Sequence, residues 1–97
     1  MPTYVSLVSW TDQGIKNYRD TVARANSFRD MVGQAGGRVR EVLWTLGEYD
    51  IVTVIDAPDE ETVMALLLQV AALGNIRTQT MRAMNADEIT RVIGRTG

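Results

Sequence analysis

The segment Ile51-Val52-Thr53-Val54-Ile55 constrains this chain more than any other. Every residue in it is β-branched, which favours an extended backbone, and the run is apolar on both faces. It is expected to be a central strand covered on both sides. A chain of 97 residues has room for one domain, residues 1–97. Surface scaling gives roughly 5,500 Å² folded against roughly 15,700 Å² unfolded, so ~65% of the surface is buried. That core is thin, and a partner chain would thicken it.

The rest of the chain falls into elements around this strand. Thr3 to Trp10 is rich in β-formers, with Val5 and Leu7 on one face and Tyr4, Val8 and Trp10 on the other. Thr11 is a helix N-cap and Asp12 sits in the first turn, where the dipole favours a carboxylate. Ile15, Tyr18, Val22, Ala25, Met31 and Val32, with Phe28 beside them, predict one helix from Asp12 to Ala35, ended by Gly36-Gly37. Strands are expected at Arg38 to Thr45 and Asp50 to Asp56. The glycine in Leu46-Gly47-Glu48-Tyr49 points to a tight hairpin between them.

Ala57-Pro58-Asp59-Glu60-Glu61 starts a second helix that runs to Leu73 and stops at Gly74-Asn75. Its apolar residues (Val63, Met64, Leu66, Leu67, Leu68, Val70, Leu73) go nearly all the way round. Either the helix is mostly buried or its outer stripe is a subunit contact. Ile76 to Met84 is a last strand, and Asn85 with Glu88 forms a capping box for a helix from Ala86 to Ile93. The order is β-α-β-β-α-β plus a terminal helix. It predicts an α+β, ferredoxin-like fold with a four-stranded antiparallel sheet.

Composition narrows the chemistry. The chain has no cysteine and no histidine, which removes disulfides, thiolate nucleophiles, the commonest general base and the commonest metal ligand. No metal, haem or other cofactor is expected; only oxygen ligands remain, which suit Mg²⁺ or Ca²⁺. A net charge of −2 gives no reason to expect nucleic acid. Met64 to Leu73, the longest apolar stretch, is interrupted by Gln69 and too short to span a bilayer. The N-terminus shows no targeting pattern. No membrane partner and a cytoplasmic setting are the expectations.

Three groups of residues are candidates for a ligand site, each with a plain structural alternative. Tyr49-Asp50 offers a phenol beside a carboxylate at a hairpin end; alternatively Asp50 accepts backbone N–H bonds at the turn and Tyr49 covers the core edge. Trp10 and Trp44 can line an apolar pocket or fill core and interface. Thr78, Thr80 and Arg82 share one face of a strand and suit a carboxylate or phosphate; alternatively the threonines serve β propensity and Arg82 pairs with Glu41 or Asp56. The acids Asp59, Glu60 and Glu61 are explained by the helix dipole. Met81 and Met84 read as core filling or pocket lining.

The string Gly47-Glu48-Tyr49-Asp50 before the apolar strand resembles the glycine-x-tyrosine-aspartate signature of the GYD-domain family. Trp10-Thr11 with Gly14, Ala57-Pro58-Asp59, and Gly74-Asn75-Ile76-Arg77-Thr78-Gln79-Thr80 agree in order and place. The resemblance spans roughly Tyr4 to Met84. It implies membership of the dimeric α/β-barrel superfamily, in which two ferredoxin-like sheets face each other. It implies no particular reaction or catalytic residue. The expected protein is a homodimer, with assembly of dimers as a further option, that binds a small molecule near Trp10, Trp44, Tyr49 and Asp50. Thr78 and Thr80 are expected to reach into that cavity and Arg82 to supply a counter-charge. The alternatives are a cofactor-independent isomerase or oxygenase using Tyr49 and Asp50 or Glu41, and a purely structural interaction protein.

Overall fold

A computed structural model describes residues 1–97. Four strands, β1 (Thr3–Trp10), β2 (Arg38–Trp44), β3 (Ile51–Asp56) and β4 (Ile76–Ala83), form one antiparallel sheet in the order β2-β3-β1-β4. The helices are α1 (Asp12–Lys16), α2 (Thr21–Gln34), α3 (Glu60–Ala72) and α4 (Ala86–Gly94). This is the ferredoxin-like α+β arrangement, and the apolar β3 is an interior strand as expected, although in the single chain helices cover only one of its faces. No helix is long and apolar enough to cross a membrane.

Strand alternation divides the sheet into two faces. Tyr4, Val8, Ile51 and Ile55 are buried towards the helices, where Tyr4, Ile55, Ala57 and Val63 form the centre of the core. The odd residues of β1 and even residues of β3 (Val5, Leu7, Val52, Val54) point the other way and are only half-buried. On that open face Leu43 is 53% and Met81 41% exposed.

The helix expected over 12–35 is broken. The chain leaves α1 at Asn17 (φ −106°, ψ 33°) and makes a 3₁₀ turn over Tyr18–Asp20 before α2 begins. The Asn17 side chain donates to the Gln13 carbonyl, and Arg24 donates to the freed carbonyls of Asn17 and Gly14. Arg24 thereby satisfies carbonyls that a continuous helix would have paired internally, whereas the Gln13 carbonyl also keeps its bond from the Asn17 backbone N–H. Ile15, Tyr18 and Val22, the first half of the expected stripe, are consequently exposed.

The hairpin turns through the expected Leu46-Gly47-Glu48-Tyr49. β2 and β3 are joined by Thr45–Asp50, closed by Thr45 N–H donating to the Asp50 carbonyl (2.9 Å) with Gly47 at φ +117°. At the far end Gly36 (φ +88°) and Gly37 admit a close turn, since a Cβ on Gly37 would strike the Asp56 carbonyl. α3 is buried on one side only: Val63 and Leu66 are enclosed, while Met64, Leu68 and, just past its end, Leu73 are exposed.

Candidate functional site

Between the helix-facing side of the sheet and helices α2 and α3 lies a cavity of about 280 Å³. Its walls are mainly apolar, with Phe28 and Met31 from α2 and Leu67 and Val70 from α3. Small-molecule sites are commonly apolar hollows with a few placed polar groups. Here the polar groups lie on the floor.

The pairing register explains them. Ser6 on β1 stands opposite Thr53 on β3 and opposite Thr80 on β4, so three hydroxyl residues form one rung across the sheet. Ser6 and Thr53 are buried, and the Ser6 and Thr80 hydroxyls share a 2.7 Å hydrogen bond. Ser6, Thr53 and Thr78 line the cavity. A wall built for packing alone would carry apolar side chains at such positions, because burying hydroxyls has a desolvation cost.

Of the residues singled out from sequence, Trp10 and Thr78 line this cavity, and Thr80 is bonded to the lining residue Ser6. The Trp10 indole N–H is buried without a hydrogen-bond partner. Trp44 shares the helix-facing side, and its Nε1–H donates to the Thr21 hydroxyl (2.9 Å). Asp50 anchors the turn: its carboxylate accepts from Trp10 N–H at 2.8 Å, and its own N–H donates to the Val8 carbonyl at 2.8 Å.

Tyr49 and Arg82 fall elsewhere. The Tyr49 hydroxyl donates to the Gln79 side chain (3.0 Å), on the open face of the sheet. The Tyr49 hydroxyl and the Asp50 carboxylate thus have separate partners, Gln79 and the Trp10 backbone, and make no acid–base pair. Arg82 stands at the other end of β4, bridging to Glu88 (3.1 Å) and donating to the Ala83 carbonyl, with Tyr4 beneath its guanidinium. The expected pairing of Arg82 with Glu41 or Asp56 is corrected: Asp56 is held by Arg38 and Arg40, which the irregularity in β2 between Val39 and Glu41 brings to one carboxylate. Glu88 is the nearer acid because its capping box fixes it one helical turn beyond the strand.

Burial of Asp56 by itself would raise its pKa. The hydrogen bonds from Arg38 and Thr3 and the charges of Arg40 and Arg38 outweigh that, leaving the carboxyl below its ordinary value.

Ser6, Thr53, Arg24 and Asn75 were not among the candidates from sequence, although all four line the cavity. A signal existed for two of them. Ser6 interrupts Tyr4-x-x-x-Val8, and Thr53 interrupts Ile51-x-x-x-Ile55, each at the centre of an otherwise apolar face. Arg24 and Asn75 became wall residues only when the first helix broke and α1 docked on the Gly74-Asn75 turn. There Thr11 N–H donates to the Asn75 carbonyl and the Thr11 hydroxyl to the Gly74 carbonyl.

The chain is 33% identical over 94 residues to a glutamine synthetase and cystathionine beta-lyase binding protein of Thermus thermophilus; the match covers 95% of this chain and 99% of that protein. A crystal structure of TTHA0845, also from Thermus thermophilus, superposes with a TM-score of 0.57 at 23% identity, covering 89% of this chain and 96% of that one. This second likeness concerns the fold. The GYD domain model matches residues 4–93, from the first core strand into the last helix. That span includes Gly47 and Asp50 at the turn and Trp10, Thr11, Gly14 and Asn75 at the junction they brace, and the chain belongs to the GYD domain family.

Proposed function

We propose that this chain is a small-molecule-binding module whose 97 residues act as one domain and pair with a second copy through the open sheet face. One observation carries the reading: Ser6 and Thr53, two members of the rung that Thr80 completes, lie with Thr78 on the floor of an otherwise largely apolar cavity. Ligand polar atoms at that rung would compensate the hydroxyls, while the apolar walls supply affinity.

A thermal-shift screen of small metabolites on wild type and on Val70→Phe tests it. Val70 lines the cavity, and a phenyl ring there fills part of the space. Shifts on wild type that vanish in a folded Val70→Phe support the reading. Shifts that persist place binding elsewhere, and a wild type that responds to nothing overturns it.

A second reading is favoured by the Thermus relative, whose name describes binding to two enzymes. The exposed Met64 and Leu68 on the outer side of α3 offer this chain an apolar contact stripe. Sedimentation of the protein mixed with purified glutamine synthetase distinguishes the two. A complex weakened by Leu68→Glu supports enzyme binding, and independent sedimentation of the two proteins counts against it.

A further inference from the structure

We infer that the cavity takes a compact, largely apolar monocarboxylate, with its carboxylate held by Arg24; this rests on the small-molecule reading of the same cavity. The lining contains one charged side chain, Arg24, and no acid. Arg24 is half-buried and makes no salt bridge to any carboxylate of the chain. Its guanidinium is already oriented by donation to the Asn17 carbonyl (2.9 Å) and the Gly14 carbonyl (3.3 Å). A guanidinium has five N–H donors, so others remain for a ligand, and a planar fork suits a carboxylate.

The surroundings agree in sign. The Gly14 carbonyl that holds Arg24 lies where α1 meets the Asn75 backbone, and Asn75 leads directly into Ile76, which pairs with Trp10. Arg24, Asn75, Trp10 and Thr78 thus belong to one end of the hollow. Asp50, the acid bonded to this junction, gives its carboxylate to the Trp10 backbone and does not line the cavity. Phe28, Met31 and Leu67 are left to enclose a hydrocarbon body. The volume of about 280 Å³ lies at the small end of ligand sites, which favours a short aryl or branched acid over a long acyl chain.

Matched acids and amides separate charge from shape. Phenylacetate, phenylacetamide, 4-methylpentanoate and its amide are titrated into isotope-labelled wild type and Arg24→Gln, following the amide signals of Ser6, Trp10 and Thr78. On wild type each acid should bind roughly ten- to a hundredfold tighter than its amide, as a charge-assisted contact requires. In Arg24→Gln that preference should disappear while amide binding stays, which also shows that the variant keeps its cavity. Amides binding wild type as tightly as acids would overturn the anionic class and leave the small-molecule reading standing. Failure of both kinds of probe overturns this inference, while the metabolite screen judges the broader reading separately. If Arg24→Gln does not fold, the wild-type comparison alone decides the class.

Discussion

The carboxylate of Asp50 accepts a hydrogen bond from the backbone N–H of Trp10 at 2.8 Å, joining residues forty positions apart. Asp50 also donates its own N–H to Val8, so the turn before β3 is tied to the end of β1 from both sides. Asp50→Ala removes the acceptor and leaves a partly buried N–H unpaired, which costs about 1–3 kcal/mol. Urea unfolding should show that loss, with a much smaller one in Asp50→Asn, which keeps an acceptor oxygen. An Asp50→Ala variant as stable as wild type would remove this role.

Gly14 is buried where α1 meets the Gly74-Asn75 turn, and a Cβ there would collide with the Asn75 backbone carbonyl. Backbone on both sides leaves little room to yield. Gly14→Ala should destabilise by about 1–3 kcal/mol despite alanine's better helix propensity. Gly33, whose added Cβ would meet nothing, is the control: Gly33→Ala in α2 should be neutral or stabilising. Thermal unfolding of the two variants checks both expectations.

Asp56 sets an acid limit on stability. An acid whose pKa falls on folding stabilises the fold wherever it is ionised in both states. That contribution fades as the pH drops below the ordinary value of 3.8 and through the lowered folded value. Asp59, through its backbone hydrogen bond from Thr62, and Glu88, through that from Asn85, shift in the same direction. Stability measured by urea from pH 7 downward should therefore hold and then fall below about pH 4. Asp56→Asn should be less stable at neutral pH and show a shallower acid decline.

Thr53→Val tests the hydroxyl rung. Valine is close in shape and removes a buried polar group, so the folded chain should be as stable as wild type or slightly more so. The same change should weaken ligands found in the thermal-shift screen. Lower stability together with undiminished ligand binding would make Thr53 a packing residue.

The proposed pairing of two sheets predicts what charges on the open face do. Leu43 and Met81 are exposed in the single chain, so Leu43→Lys with Met81→Lys should cost the isolated subunit little. Buried between two copies, the same lysines are expensive to desolvate. Sedimentation at low micromolar concentration should show wild-type dimers and folded double-variant monomers; a monomeric wild type would sink the pairing.

Local signals determined much of this protein. The β-branched run Ile51–Ile55, the glycines after each long helix and the Asn85–Glu88 capping box specify elements by short-range sterics and hydrogen bonding, and they are legible without any tertiary contact. The resemblance carried by Gly47, Asp50, Trp10, Gly14 and Asn75 gave the family by motif, although the bonds that Asp50 makes to Trp10 and the packing of Gly14 on Asn75 are long-range. The break at Asn17 was not legible, because the apolar spacing continues through it and only the docking of α1 on Asn75 makes the broken form preferable. The pocket was hidden for a related reason. Strand register placed Thr53, Ser6 and Thr80 on one rung, and the break in the helix brought Arg24 to the wall. The faces of Tyr49 and Gln79 were likewise settled by long-range pairing. Such contacts join residues dozens of positions apart, so their energies exist only once the sheet has closed.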